Sequence, residues 1–344
     1  YELPLRLVGS EMCIRDSRYF PLIFILLLSN CAMTEPFKNT NGISKTERSF
    51  SELLKWRRER SSPERVTIET SDEWKDLDAD DKNYSVWIGH STFLIKLNDL
   101  TILTDPIFSK RASPFSFIGP KRLIPPVIKL DDLPEIDVVT ITHNHYDHLD
   151  IKSLKKISEI NPNAIFLVPK GDKKLLARAG IKNVYDFIWW DSKNIKSTTF
   201  TYTPVQHWSA RGLFDRSESL WGGWFVKNTD ISIFHAGDTG YTNDFKETYS
   251  KLGSPDFAMI PIGAYDPQWF MKFSHVNPSE AVQIALDLKA KRSIGMHWGT
   301  FILTDEPVLE PPMLLKKALK KLGLSNDFFL TVKPGKVLTL NSNE

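Results

Sequence analysis

Cysteine is scarce in this chain. Among 344 residues only Cys13 and Cys31 carry a thiol, and both lie within the first 31 positions. The rest of the sequence therefore cannot form a disulfide framework, and any metal ligands in it must offer nitrogen or oxygen.

Two catalytic signatures are also missing. The sequence has no G-x-S-x-G nucleophile elbow and no cysteine in its presumed folded part, so covalent acyl chemistry has no support. Residues 237–240 (Gly-Asp-Thr-Gly) lack the lysine and the spacing of a phosphate-binding P-loop. Their glycines would instead let the backbone approach a metal centre closely.

Neither sign of charge is in excess. The chain has 44 Lys and Arg residues against 42 Asp and Glu residues, a net charge of +2. No basic stripe stands out, which argues against nucleic acid as a partner. Hydrophobic residues make up 41% and charged residues 25%, as in an ordinary soluble globular protein that is large enough to bury a full core.

The apolar run 21–28 is too short to cross a bilayer as a mature helix, but it has the size of a signal-peptide core. Residues 28–31 (Leu-Ser-Asn-Cys) resemble a bacterial lipoprotein processing site, which implies lipidation of Cys31, and Ala32 resembles the outer-membrane sorting pattern. We therefore expect a lipid-anchored protein of the bacterial cell envelope, at the outer membrane and facing the periplasm. A plain secretory signal or a short membrane anchor is the alternative.

Three regions follow from the composition. Residues 1–31 combine this signal with a segment, 1–17, that resembles translated sequencing-adapter sequence, and we exclude 1–17 from fold prediction. Residues 32–83 form a polar arm in which 49–60 favours a short basic helix. That helix either contacts a membrane surface or, as we prefer, is solvated and packs on the domain. Residues 84–344 form the main domain.

Strands and helices alternate through the main domain. The predicted strands are 85–88, 92–95, 100–104, 136–141, 164–168, 184–188, 199–205, 220–226, 231–235, 255–260, 292–296, 328–332 and 336–340, and the predicted helices are 151–160, 173–179, 278–290 and 313–322. Two strand-rich halves, each with helices, indicate an α/β fold of four layers, an αββα sandwich with two sheets face to face. Residues 106–126 predict a long loop, which in a compact domain is often functional.

The most informative stretch is 142–148, Thr-His-Asn-His-Tyr-Asp-His, at the end of a predicted strand. Three of the eight histidines and one aspartate fall within six residues. Imidazole and carboxylate are good ligands for Zn²⁺, but four of them cannot all serve one tetrahedral ion that keeps an open position. The spacing therefore predicts two metals side by side, with His143 and His145 facing one and Asp147 and His148 facing the other. A polar surface loop is the plainer alternative.

His207, Asp238 and His297 each follow a predicted strand. A rigid sheet would hold such side chains in a shared cleft. Each alone is equally well explained as a hydrogen-bonded structural residue. Together with 142–148 they form a candidate ligand set.

This pattern resembles the metallo-β-lactamase superfamily, whose first motif is H-x-H-x-D-H. Flanking blocks resemble its branch of N-acyl-phosphatidylethanolamine-hydrolysing phospholipases D, over roughly residues 84–340. The blocks are 87–92 (WIGHST), 103–114 (LTDPIFSKRASP), 119–122 (GPKR), 144–150 (NHYDHLD), 206–208 (QHW), 236–241 (AGDTGY), 261–265 (PIGAY) and 297–301 (HWGTF). The resemblance implies the metallo-β-lactamase fold.

The resemblance also implies a ligand assignment. One zinc would be bound by His143, His145 and His207, and a second by Asp147, His148 and His297; Asp238 and a water or hydroxide would bridge the two, with other divalent metals left open. Ions in such sites lie about 3.5–4 Å apart and lower the pKa of water toward roughly 7. A hydroxide nucleophile is then available at neutral pH, and Asp147 could orient it or accept its proton.

His275 matches a family position near the substrate. We expect it to act in catalysis together with Asp147. It would contact either a substrate phosphate or a metal-ligating side chain, and would not itself bind a metal. Ser274 stands where the animal enzyme of this branch has Gln, which leaves the polar contacts with substrate open.

Other residues are expected around the metals or the substrate. Asp105 should hydrogen-bond a ligand histidine, as carboxylates outside the ligand shell often do. The remaining candidates are His90 and His235, as supporting or core residues, Tyr146 beside the metals, and Trp208, Trp269 and Phe270 as the lining of a groove for acyl chains.

The resemblance implies an enzyme: a di-zinc phosphodiesterase of phospholipase D type that acts on N-acyl-phosphatidylethanolamine or similar lipids. The alternatives are a metal-dependent lactonase or small phosphodiester hydrolase of the same superfamily, and a non-enzymatic envelope lipoprotein, against which an intact ligand set argues. An iron oxidoreductase is disfavoured, because that branch has Glu where His145 stands. The expected partners are a phospholipid or other phosphodiester substrate and the membrane, through the lipid anchor, with a homodimer left open.

Overall fold

The structure is a computed structural model that describes residues 35–43, 50–78, 81–212 and 214–340. The expectations for residues 1–17, for the signal and for Cys31 lie outside these ranges. Within them, none of the helices combines the length and the apolarity needed to cross a membrane.

The described residues form fourteen strands: β1 (Tyr84–Gly89), β2 (Thr92–Leu97), β3 (Leu100–Thr104), β4 (Val138–Thr140), β5 (Ile165–Pro169), β6 (Val184–Phe187), β7 (Ser192–Ile195), β8 (Thr198–Thr203), β9 (Gly223–Lys227), β10 (Ser232–His235), β11 (Phe257–Pro261), β12 (Arg292–Met296), β13 (Phe329–Leu330) and β14 (Val337–Thr339). One sheet has the order β14-β1-β2-β3-β4-β5-β6 and the other β13-β12-β11-β10-β9-β8-β7. Strands β3 to β6 are parallel, as are β10 to β13, and the remaining pairs are antiparallel.

The α-helices of the described residues are α1 (Phe50–Glu59), α2 (Ile151–Ile160), α3 (Lys173–Arg178), α4 (Asp244–Leu252), α5 (Gln268–Met271), α6 (Pro278–Asp287) and α7 (Glu310–Lys321). Helix α6 begins with a capping box. The Asn277 side chain accepts hydrogen bonds from the first turn, and the Glu280 carboxylate accepts one from the Asn277 N–H. This fixes the chain just after His275.

The two sheets pack face to face. Side chains alternate along β2, so Phe93 and Ile95 enter the core between the sheets, while Leu94 enters a second core beneath α2 and α3. Trp224 of β9 is fully buried in the core between the sheets, and α6 and α7 cover the outer face of the second sheet. The predicted four-layer αββα sandwich is confirmed.

Several element bounds differ from the predictions. Strand β7 and helices α4 and α5 were not predicted; strand 136–141 is shortened to β4, helix 278–290 ends at Asp287, and α7 begins at Glu310. Strand β7 (Ser-Lys-Asn-Ile) is polar and largely exposed, and it exists because it pairs with β8.

The arm contributes to the domain. The described residues from Pro36 onward, which include most of the arm, belong to the same compact unit as the main domain. In α1, the Trp56 ring stacks on Phe270 with centroids 5.1 Å apart, and its Nε1 donates a hydrogen bond to Asp305 Oδ2 at 3.0 Å. Helix α1 therefore packs on the domain, next to the cleft described below.

Candidate metal centre

The predicted ligands come together where strands of both sheets end. Residues 142–148 follow β4, Asp238 follows β10, and His297 follows β12. Parallel strands bring their carboxyl ends to one edge of a sheet, and in α/β folds that edge is where ligands bind. The two sheets thus supply the two sides of one site.

Three imidazoles form the first group. The Nε2 atom of His143 lies 2.9 Å from Nδ1 of His145, and Nε2 of His207 lies 3.3 Å from the same atom. Three buried or half-buried ring nitrogens that converge in this way form a donor set for one divalent cation.

The second group lies across a shared carboxylate. Asp147 Oδ2 lies 3.6 Å from His148 Nε2 and 3.4 Å from His297 Nε2. Asp238 reaches both groups: its Oδ1 is 3.0 Å from His297 Nε2, and its Oδ2 is 3.2 Å from His148 Nε2 and 3.9 Å from His143 Nε2. Asp238 therefore connects the two donor groups.

Four atoms of the second group are buried without a well-directed hydrogen bond to any described residue: His148 Nε2, both ring nitrogens of His297, and Asp238 Oδ1. Buried polar atoms in folded proteins nearly always have a partner. A divalent cation would supply one, so the residues present fit the two-metal interpretation.

The ring nitrogens of His148 and His207 that point away from the centre each have a protein partner. His148 Nδ1 lies 2.8 Å from Asp105 Oδ2, and His207 Nδ1 lies 2.9 Å from the Ser274 carbonyl. Asp105 is itself held by Thr142, which donates to it from its backbone N–H at 2.7 Å and from its hydroxyl at 2.6 Å. These contacts orient the opposite ring nitrogens toward the centre, as outer partners do in metal sites.

The backbone at the site adopts conformations that most residues avoid. His90, Asp105 and His297 have φ values of 56°, 35° and 63°, in a region that costs free energy for residues other than glycine. Gly237, at φ 62°, packs so closely that a Cβ would lie 2.7 Å from Thr142. The glycine before Asp238 is thus needed for close approach.

Burial and neighbouring charges shift the pKa values of the site residues in opposite directions. Burial raises the pKa values of Asp147 and Asp238, but His148 and His297 outweigh it and hold both well below the usual range. Burial and the neighbouring imidazoles lower the pKa of His143 well below 6.5. Burial lowers the pKa values of His148 and His297, but Asp238 and Asp147 outweigh it and raise the first well above 6.5 and the second to about 9. Metal binding requires ionised carboxylates and neutral imidazoles, so a cation would have to displace a proton from each of these two rings.

Three further histidines surround the centre. His90 Nε2 lies 3.0 Å from Asp147 Oδ2, and burial and His297 lower its pKa to about 3, so it is neutral. His235 Nε2 lies 3.0 Å from the Ser91 carbonyl, behind the site. His275 Nδ1 lies 3.8 Å from Asp238 Oδ2.

A cleft of about 620 Å³ opens above the centre. Its lining is mostly apolar and includes Trp208 and Phe270, together with Tyr146 and His275. Trp269, which was predicted to line the groove, does not: its indole is 47% exposed and packs against the outer side of Phe270, with centroids 5.5 Å apart. Neighbours on a helix point in different directions, so only one of the two aromatics faces inward.

The sequence did not indicate four contributors to the site. Arg216 lines the cleft, with its guanidinium 4.4 Å from the centroid of Trp208. Leu53 and Trp56 of α1 form another wall. Asn39 accepts a hydrogen bond from the His207 N–H at 3.0 Å and donates one to the His207 carbonyl at 3.1 Å. These residues lie in segments without a motif, and only the tertiary fold brings them to the site.

Comparisons with known proteins agree with this geometry. A family model described as a β-lactamase superfamily domain matches residues 101–298. A Caenorhabditis elegans protein named N-acyl-phosphatidylethanolamine-hydrolyzing phospholipase D 1 is 42% identical over 266 residues, 74% of this chain and 75% of its own length. A mitochondrial protein of that enzyme name from Saccharomyces cerevisiae is 38% identical over 66% of this chain, which spans 50% of the yeast protein.

Solved structures share the fold at low sequence identity. An isothiocyanate hydrolase from Delia radicum gut bacteria superposes with a TM-score of 0.62 at 17% identity, over 75% of this chain and 99% of its own. The metallo-β-lactamase fold protein YhfI from Bacillus subtilis gives 0.54 at 17% identity, over 75% and 100%. Both likenesses concern the fold alone.

Proposed function

This chain belongs to the metallo-β-lactamase superfamily and is a metal-dependent hydrolase, and from that premise we propose that it is a two-metal phosphodiesterase of phospholipase D type. Its substrates would be N-acyl-phosphatidylethanolamine and related phospholipids. The proposal covers the number of metals, their identity as zinc, and the substrate.

The observation that carries the proposal is the shared carboxylate at the floor of an apolar cleft. Asp238 lies between the His143, His145 and His207 group and the Asp147, His148 and His297 group. Directly above, the cleft offers aromatic and aliphatic walls of the kind that acyl chains require. Two ions in such a site supply a nucleophile derived from water at neutral pH and neutralise phosphate charge.

The residues of the chain would divide the remaining tasks. Arg216 is the one Lys or Arg among the described lining residues, and its guanidinium can receive phosphate oxygens in a forked geometry. His275 reaches the cleft beside Asp238 and can hold or pass a proton at its ring. The walls of Trp56, Trp208 and Phe270 would bind an acyl chain and exclude water.

The names of the curated relatives support the substrate. Two proteins at 42% and 38% identity are named for hydrolysis of N-acyl-phosphatidylethanolamine. We carry that substrate to this chain as part of the proposal. Every proposed ligand also lies within residues 101–298, which match the superfamily model.

A direct test uses purified full-length protein loaded with zinc. We expect about two zinc ions per chain by elemental analysis, and release of phosphatidic acid and N-acylethanolamine from N-acyl-phosphatidylethanolamine vesicles. Asp238→Asn should lose most of the activity and at least one ion. The matched control is Asp186→Asn, a partly exposed carboxylate that pairs with Lys170 at 3.1 Å and should behave as wild type.

Two outcomes would refute the proposal. One is full metal loading without any phosphodiester cleavage of N-acylated or plain phosphatidylethanolamine. The other is hydrolysis of lactones or of small phosphodiesters in preference to lipids, which would make the chain a different hydrolase of the same superfamily.

A further inference from the structure

Unusual apolar exposure occurs on segments that also line the cleft. In the described part of the chain, the two most exposed large apolar side chains are those of Phe214, at 92%, and Phe117, at 77%. Phe115, Ile118 and Trp269 are also exposed. We call these five side chains the docking rim.

Each segment of the docking rim also builds the cleft. Ala112 lines the cleft wall and stands at the base of the hairpin that carries Phe115, Phe117 and Ile118. Arg216, two residues after Phe214, lines another wall. Phe270, next to Trp269, lines a third. The rim is therefore carried by the same three segments that help to line the cleft above the metal centre.

The hairpin holds its apolar tip in place. Arg111 and Lys121 form an antiparallel bridge, and Ala112 N–H donates a hydrogen bond to the Pro120 carbonyl at 3.0 Å. Gly119 has a φ of 99°, and a Cβ there would lie 2.6 Å from Ser113 Cβ. The hairpin is thus closed tightly at its base, and its tip leaves Phe115 and Phe117 exposed.

Positive charge accompanies the rim. Residues 106–126 contain no carboxylate and carry three cations that are exposed or half-exposed, Lys110, Arg111 and Lys121, although the whole chain has a net charge of only +2. On another segment, Lys55 Nζ lies 4.8 Å from the centroid of Trp269. Aromatic side chains set among basic ones suit the interfacial layer of a bilayer, where rings insert and cations meet anionic headgroups.

We propose that the docking rim inserts into the surface of an anionic phospholipid bilayer and places the cleft mouth against the lipids. This inference rests on the proposed phospholipid substrate, and it adds that the substrate enters directly from the membrane. A lipid surface fits better than a protein partner, because exposed aromatic side chains stand beside exposed lysines, and the segments that carry them also line the cleft proposed to take a lipid.

The test measures vesicle binding without turnover. Full-length protein, made so that Cys31 carries no lipid, is sedimented with vesicles of phosphatidylethanolamine and phosphatidylglycerol that contain no N-acylated lipid. We expect Phe117→Ser with Phe214→Ser to weaken vesicle partitioning at least tenfold. The matched control, Ile188→Ser with Leu322→Ser, removes two exposed apolar side chains outside the cleft segments and should stay within twofold of wild type.

Three results would overturn the proposal: no binding of wild type to these vesicles, equal losses in the rim and control variants, or a rim variant that changes only the oligomeric state in analytical ultracentrifugation. The last would assign the rim to a second copy of the chain. Near-ultraviolet circular dichroism establishes that all variants are folded. Because binding is measured without hydrolysis, failure of the phosphodiesterase proposal would leave the rim result intact and would be seen separately.

Discussion

Asp238 is the residue on which the two halves of the site depend. Its two oxygens lie 3.0 Å and 3.2 Å from imidazoles of the second group, and one of them is 3.9 Å from the first. Without its negative charge, two dications would face each other with little compensation in a buried site. The loss expected for Asp238→Asn follows from this position.

Arg216 provides the clearest prediction about substrate contact. Its Nε is buried without a hydrogen-bond partner among the described residues, and burial lowers the pKa of its guanidinium. A phosphate oxygen of the substrate would accept a hydrogen bond from this Nε–H and pair with the guanidinium charge. We expect Arg216→Ala to raise KM and to lower kcat/KM for lipid phosphodiesters about tenfold to a hundredfold, since a charge-assisted hydrogen bond contributes about 1.5–3 kcal/mol.

Arg216→Lys keeps the charge but loses the planar fork and the stacking on Trp208, so its kcat/KM should lie between those of wild type and Arg216→Ala. Arg178→Ala, a change at an exposed arginine of α3, serves as the control. Identical steady-state constants for the Arg216→Ala and Arg178→Ala proteins would contradict the assignment.

Asp172 provides a prediction about stability. It is buried and accepts hydrogen bonds from Asn144 at 3.0 Å and from Ser219 at 2.8 Å, and burial raises its pKa from 3.8 to about 7. Between pH 3.8 and about 7, the Asp172 carboxyl of the folded protein therefore keeps a proton that the unfolded protein has released. The carboxyl's contribution to stability should fall as the pH rises from about 4 to 7, by up to about 4 kcal/mol.

Asp172→Asn cannot titrate. Its free energy of unfolding, measured by urea denaturation from pH 5 to pH 8, should therefore rise relative to wild type as the pH increases toward 7. The groups of the metal centre titrate in both proteins and cancel in this difference. Parallel stability curves for the two proteins would show that Asp172 is ionised when folded.

The sequence could identify residues whose chemistry is concentrated locally. The run 142–148 places four donor groups within one loop, and the structure brings all four to the centre. Asp105 could be predicted beside a ligand because it also ends a strand, and it lies 2.8 Å from His148. Arg216 and Asn39 could not, since their roles depend on contacts with residues far away in the chain.

Helix α1 forms a wall of the cleft although it belongs to the polar arm. Trp56 contributes an indole face to the cleft and stacks on Phe270. Trp56→Ala should lower kcat/KM for long-acyl substrates about tenfold more than for short-acyl ones, because each buried methylene contributes about 0.8 kcal/mol. Activity measured across a series of acyl lengths checks this.

Trp56→Phe retains the stacking but loses the hydrogen bond to Asp305, so it should keep most of the chain-length preference. Glu59→Ala, at a half-exposed ion pair with Arg58 on the same helix, controls for general changes in α1. If Trp56→Ala lowers the activity on all acyl lengths equally, α1 does not contact the acyl chain.

The missed elements have a common cause. Helix α4 buries only Asp244, Phe245 and Thr248, and its sequence (Asp-Phe-Lys-Glu-Thr-Tyr-Ser-Lys-Leu) shows little apolar periodicity. Strand β7 is polar and exists through its pairing with β8. Strands β2 and β3 could be predicted because both of their faces are buried and therefore apolar. Elements held by tertiary context leave no such pattern.

At the scale of the whole molecule, distant segments converge on the cleft above the metal centre. Two sheets bring their strand ends together at that centre, the arm forms one wall of the cleft, and segments that carry exposed aromatic side chains contribute to other walls. The His and Asp donor set, the apolar cleft and Arg216 in its described lining suit a substrate with a phosphodiester and long hydrocarbon chains. These features support our proposal of a lipid phosphodiesterase over the alternative of a hydrolase of small soluble compounds.

The most direct measurement is hydrolysis of N-acyl-phosphatidylethanolamine in water enriched in ¹⁸O, with both products analysed by mass spectrometry. If water attacks phosphorus and the bond from phosphorus to the ethanolamine oxygen breaks, the label enters phosphatidic acid and the released N-acylethanolamine remains unlabelled. We predict that result. Label in the N-acylethanolamine or in a released fatty acid, or no turnover by metal-loaded protein, would contradict the account.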